Sequence, residues 1–198
     1  MNTNTKRKII EATIQEFHKD GLNLQLDKIL ESCDIREADF LLYFSDKEDL
    51  LVNSLEYVFD HIQVEKRAII NSDLPIIDKL KQVMIAMPEQ YKAINYKQFN
   101  TLKTEYPKVF EVLREQLSAH WEPIIELLNE GIITNTIKPI SIPLFQSVFI
   151  SSIEMLLTSD ILAENQMSYG YALEQLRTIL IEGIVVCKNE EYDDEDYL

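Results

Sequence analysis

Arg36, Glu37, Asp39 and Tyr43 fall within eight consecutive residues, and Lys47 follows four positions on. These side chains carry groups that read nucleic acid. A guanidinium bridges the O6 and N7 acceptors of guanine, a carboxylate accepts from the N4 amine of cytosine, and an ammonium beside the free amides of a helix start holds a phosphate. Such groups act together only when a rigid element presents them, and the surrounding stretch LDKILESCDIREADFLLYFSDKEDLL, residues 26–51, predicts one. Leu26, Ile29, Leu30, Ile35, Phe40, Leu41 and Phe44 recur at helical spacing, so two short helices each bury one face against a shared small core. The tight turn between them falls at Cys33-Asp34, where an Asp tolerates the left-handed conformation. Ser45-Asp46-Lys47-Glu48 reads as a capping box, with the Ser45 hydroxyl on the Glu48 amide and the Glu48 carboxylate reaching back, so a further helix starts at about Asp46. In a helix-turn-helix the second helix, here about Arg36 to Tyr43, enters the major groove by its N-terminal exposed side chains. Lys6, Arg7 and Lys8 form a basic arm for flanking phosphates.

Together with the N-terminal run TKRKIIEATIQEFHKDG, this stretch resembles the DNA-binding domain of the TetR (tetracycline-repressor) family of transcriptional regulators. The matching features are Ile9, Ile10, Ala12 and Phe17 ahead of Gly21, Ile29, Ile35, and the closing pattern Phe44-x-x-Lys47-Glu48-x-Leu50-Leu51. Glu130-Gly131-Ile132 is a weaker second match, at a Gly that often ends a long helix in the family. The likeness covers residues 1–51 well and the remainder by helical organisation only. It implies a DNA operator as partner, Lys47 as the family's usual phosphate-binding lysine, and an effector pocket in the C-terminal helices. The chain departs from the pattern at Asp34, where the turn has Gly, at Leu30, where a small residue is usual, and at Leu41, where a phosphate-binding Tyr is frequent.

The 198 residues are enough to bury a core without disulfides or metals. Four Gly, six Pro and no strand-like alternation indicate an all-α fold. It divides into a three-helix head at 1–51, a connecting helix at about 46–70, a helical effector-binding and dimerisation domain at 72–188, and an acidic, disordered tail at 189–198. No apolar signal core and no apolar run of membrane-spanning length are present, which predicts a cytoplasmic protein with no membrane partner. Cys33 and Cys187 read as small apolar side chains without redox chemistry. The net charge of −15 argues against ordinary phosphate neutralisation, and residues 1–51 alone hold seven basic and eleven acidic residues, a net of −4.

Beyond the head, Gly21 ends the first helix, Pro75 opens a fifth helix that Pro88 breaks, and Pro107 opens a long helix bent at Pro123 and closed at Gly131. Met84, Met87, Tyr91, Phe99 and Trp121 are the candidate walls of a pocket for a small apolar effector, with His120 or Glu154 as its polar anchor. Two final helices, about 142–157 and 171–187, carry more apolar surface than one pair needs. Phe145, Phe149, Leu156, Leu173, Leu176, Leu180 and Ile184 are therefore the candidate interface of a homodimeric four-helix bundle, which is also what the resemblance implies. The three histidines lie in separate helices and no metal-ligand spacing, phosphate loop or nucleophile elbow occurs, so neither an enzyme nor a cofactor or metal is indicated. The reading is a DNA-binding regulator, acting as a repressor under a small apolar ligand. The alternative is a TetR-like ligand-binding or protein-interaction module with weakened or lost DNA binding, motivated by the acidic head and Leu41.

Overall fold

A computed structural model describes residues 3–91 and 99–186, so Cys187 and the acidic tail at 189–198 lie outside the described residues. Helix α1 (Thr3–Asp20) ends at Gly21, whose φ of 59° is the left-handed stop that Gly tolerates. Helices α2 (Leu26–Cys33) and α3 (Glu37–Phe40) follow, with Asp34 between them at φ 53° and ψ 50°. The Ile35 amide bonds the Leu30 carbonyl across that turn at 3.0 Å, which closes α2 and aims α3 away from it. Helix α4 (Lys47–Ile70) is the long connector, and α5 (Ile76–Val83) packs back on it.

Helices α6 (Leu102–Glu105), α7 (Pro107–Ser118), α8 (Glu122–Ile133), α9 (Ile142–Thr158), α10 (Ile161–Glu164) and α11 (Tyr169–Ile184) complete the described chain. Residues 107–133 form two helices rather than one bent helix. The break falls at Ala119–Trp121, where His120 takes φ 59°, and Pro123 sits in the first turn of α8, where its missing N–H costs nothing. Burial of Trp121 edge-on to Phe149, ring centroids 5.6 Å apart, decides this turn.

One apolar core runs without a break from Ile9 in α1 to Ile184 in α11, so the head and the C-terminal helices share it. Gly131 does not end α8, which continues to Ile133. Its lack of a side chain instead admits Ile137, which is fully buried; a Cβ at Gly131 would lie 2.4 Å from Ile137 Cδ1 and 2.7 Å from Cγ1. Ile137 in turn bridges Val185, and the Lys138 amide bonds the Ile184 carbonyl at 2.8 Å, tying the α8–α9 connection to the end of α11.

Gly131→Ala sets a helix-propensity gain of about 1 kcal/mol against an overpacking cost of about 1–3 kcal/mol. A lower Tm in thermal unfolding is the expected outcome, and the loss should shrink in an Ile137→Val background, which removes the nearest colliding atom. An unchanged or raised Tm for Gly131→Ala alone would show that Ile137 moves aside freely.

Candidate nucleic-acid interface and effector cavity

The head places Arg36 as the residue that caps α3, with Glu37 exposed beside it. The Arg36 guanidinium grips Asp39 through two bonds, Nε to Oδ2 at 2.9 Å and Nη2 to Oδ1 at 3.3 Å, and this carboxylate raises its already high pKa. Tyr43 is half-buried against the core rather than projecting. Leu41, read as a core position, is instead 57% exposed, as is Leu42 at 64%, because the single turn of α3 is followed by a tighter turn that rotates both outward.

Lys47 is turned inward. Its Nζ donates to the Leu24 carbonyl at 2.8 Å and the Leu22 carbonyl at 3.4 Å and lies 5.3 Å above the centre of the Tyr106 ring. It therefore holds the α1–α2 connection and the start of α7 against the start of α4. The cap one residue earlier in the chain is Asp46, not Ser45. Asp46 Oδ1 accepts from the Asp49 amide at 2.8 Å, and Asp49 Oδ2 accepts from the Ser45 amide at 2.8 Å. Glu48 leaves its own helix start and accepts from the Lys108 amide at 2.9 Å, capping α7. In the basic arm, Lys8 donates to the Cys33 carbonyl at the end of α2 at 2.8 Å, Arg7 pairs with Glu11 at 2.8 Å, and Lys6 lies over the Phe44 ring.

Behind the head lies a cavity of about 180 Å³. Met84, Met87, Phe99 and Trp121 line it, as the sequence predicts, whereas Tyr91, His120 and Glu154 do not. His120 is exposed on the α7–α8 turn, and Glu154 pairs with Arg114 at 3.3 Å. Tyr91 is buried in a separate polar cleft, where its hydroxyl bonds His61 Nδ1 and where Tyr57 donates to Glu11 at 3.0 Å. Sequence reasoning missed most of the cavity wall, including Gln116 of α7 and Tyr169 of α11. The head contributes Thr13, Ile14, Phe17 and Leu22, and α4 contributes Lys66, whose ammonium burial holds below the usual lysine pKa.

The helices expected to pair two protomers turn their largest side chains inward. Phe145, Phe149, Leu156 and Ile184 are buried within the protomer, and Leu173, Leu176 and Leu180 are half-buried against its core. The outward apolar positions are Leu144, Val148 and Met155 on α9, and Tyr171 and Ile179 on α11. Among the described residues no group of His, Cys, Asp and Glu is placed to hold a metal, and no helix is long and apolar enough to cross a membrane.

No family model matches the chain. Among solved structures, it resembles a TetR regulator from Haloarcula marismortui with a TM-score of 0.72 at 12% identity, covering 93% of this chain and 100% of that one. A TetR-family regulator from Cytophaga hutchinsonii gives 0.68 at 17% identity over 93% and 96%. The chain has the TetR-family fold. FadR from Bacillus subtilis, solved in complex with stearoyl-CoA, shares that fold with a TM-score of 0.58 at 19% identity over 89% and 95%. In sequence the chain is 23% identical over 188 residues to YvaF, an uncharacterised HTH-type transcriptional regulator of Bacillus subtilis strain 168, spanning 94% of this chain and 98% of that protein.

In this TetR-fold head the inward Lys47 generates a test. Lys47→Met keeps the aliphatic stem but leaves the Leu24 carbonyl without its charged donor, a loss of about 1.5–3 kcal/mol. Thermal unfolding should show a Tm lower by roughly 2–4 °C per kcal/mol lost. Any DNA affinity should keep its salt slope, whereas a phosphate contact made by Lys47 would reduce the slope by about 0.9 per protomer and leave Tm unchanged.

Proposed function

We propose that the chain is a homodimeric transcriptional regulator of the TetR type, in which a small apolar effector in the cavity controls how the two heads engage an operator. The observation that carries this reading is the shared cavity wall. Ile14 and Phe17 of α1 face the same space as Ile153 and Leu157 of α9 and Leu173 of α11, so an occupant touches the head and the C-terminal helices at once. A ligand shifts a conformational equilibrium only by its differential affinity for the two states, and contact with both bodies supplies such a difference. The likeness to YvaF over nearly its whole length supports a regulator, and FadR's complex with stearoyl-CoA supports an apolar effector.

The second protomer docks on the outward faces of α9 and α11. Leu144, Val148 and Met155 recur at four- and seven-residue spacing, as a helix–helix seam requires, and Ile179 is 69% exposed on the neighbouring helix. A twofold axis there sets the heads for half-sites about 34 Å apart, and the effector alters that separation to release the operator. Arg36 and Glu37 read base edges from the start of α3. The competing reading, a ligand-binding module that has lost duplex recognition, is favoured by the engagement of Lys47, Lys8 and Arg7 within the head and by the exposed Leu41 and Leu42.

Selection of bound sequences from a random duplex pool, followed by titration at several salt concentrations, separates the two. A regulator yields a palindromic consensus and a log–log salt slope near −5 for about six phosphates per dimer. Arg36→Ala then weakens that site about 10- to 100-fold. Absence of any enriched sequence sustains the module reading. Val148→Glu with Ile179→Asp should convert the dimer to a folded monomer in analytical ultracentrifugation, and persistence of the dimer would place the interface elsewhere.

A further inference from the structure

We propose that the cavity takes an unbranched alkyl carboxylate of medium length, with its carboxylate on the Lys66 ammonium and its chain lying along α4 toward the head. This rests on the reading of the cavity as an effector site and names the chemistry of the effector. Lys66 is the one charged side chain in the described wall, and it has no ion-pair partner among the described residues. A cation partly withdrawn from water without a counter-charge is unfavourable, and this partial burial lowers the pKa of Lys66. An anionic group arriving in the cavity supplies the missing partner.

The shape selects the rest of the ligand. Along α4 the wall is Leu51, Ser54, Leu55, Val58, Ile62 and Lys66, a stripe of about 22 Å at 1.5 Å per residue. Lys66 closes one end. The other end meets the head, since Leu22 belongs to the wall and its carbonyl receives Lys47 at the start of α4. A volume of about 180 Å³ occupies only part of that stripe at the girth of a hydrocarbon chain, so it holds a short chain that runs from Lys66 part of the way toward the head. An apolar cavity of about 150 Å³ accommodates benzene, so six to eight carbon atoms fit without rearrangement. The hydroxyls of Thr13 and Ser54 already donate at 2.8 Å to the Ile9 and Leu50 carbonyls of their own helices, so the head end offers no second polar site. Gln116 and Tyr169, also in the wall, are uncharged, so Lys66 alone offers a charge and the ligand has one charged end.

Calorimetric titration of the full chain with octanoate and with 1-octanol tests this. Octanoate should bind about tenfold or more tighter than octanol, Lys66→Arg should keep that preference, and Lys66→Met should abolish it by weakening octanoate while octanol affinity stays within threefold. Lys66→Met should also raise the Tm of the ligand-free protein by roughly 2–4 °C, the opposite of removing a structural lysine. Equal binding of octanoate and octanol by the unaltered protein overturns the anchoring role but leaves an apolar effector site standing. So does a loss of both ligands together in Lys66→Met. If neither ligand binds the unaltered protein, and filling the space with Leu157→Trp changes nothing, the effector-site reading fails and this proposal with it.

Discussion

Everything in this molecule is referred to one face of α4. Leu50, Leu51, Val58 and Ile62 are buried along it, and Ser54 between them satisfies its hydroxyl on the Leu50 carbonyl, so the stripe stays dry. Truncating any one of these apolar side chains would cost about 2–5 kcal/mol, a large part of a typical domain's stability. The same helix packs on α1, α5 and α7, which makes it the shared wall between a head that presents α3 and a body that encloses the cavity. The two capping and bridging residues at its start, Lys47 and Glu48, fix that wall to the α1–α2 connection and to α7. In the proposed mechanism a displacement of α7 or α1 by an occupant would be transmitted through α4 rather than absorbed by a loop.

Magnitudes decide which cations of the acidic head remain available to a duplex. The Arg36–Asp39 pair is solvent-exposed, with the two side chains 84% and 42% accessible, and such pairs contribute about 0.2–1 kcal/mol. A bidentate contact to guanine discriminates by about 1–3 kcal/mol, so in the proposed complex a duplex would draw Arg36 away from Asp39. Lys47 is different. Its charge-assisted bonds to two carbonyls in a partly buried setting, with a ring beneath, compare with what one screened phosphate offers, and the side chain stays where it is. If it binds a duplex as proposed, a head built this way would draw its affinity from few phosphates and depend more on direct base contacts.

The sequence made the architecture legible because helical periodicity and Pro and Gly positions are local signals. Gly21, Asp34, Pro75 and Pro107 stand where their backbone preferences place them. The errors came where two local patterns overlap or where a distant partner decides. Ser45-x-x-Glu48 and Asp46-x-x-Asp49 are equally good caps one residue apart, and the demand of α7 for Glu48 selects the second. Periodicity runs through residues 107–130 unbroken, and only the docking of Trp121 on Phe149 shows why the helix stops at Ser118. Aromatic and Met richness located the cavity, yet Lys66 was invisible because Glu65-Lys66-Arg67 reads as an ordinary solvated turn. The last two helices are apolar on both sides, so composition does not say which face closes the protomer and which remains outside.

An unpaired, half-buried lysine in an apolar wall is a local inconsistency of the kind that marks function rather than folding. Folding alone would favour Met at that position, as it would favour filling the space between α1 and α9. Retaining both an open volume and an unpaired charge lowers stability, and on the proposed effector reading that deficit is what a ligand would recover on entering. At a ligand concentration about 100 times its Kd, mass action returns about 2.7 kcal/mol to whichever arrangement of α1 and α4 encloses it. In the proposed mechanism the shift between two head orientations is bounded instead by the difference in the occupant's affinity for them, since equal affinity for both shifts nothing. A cavity whose wall includes Ile14, Phe17 and Leu22 of the head puts an occupant in contact with the element that would have to move, which one confined to α5–α11 would not do.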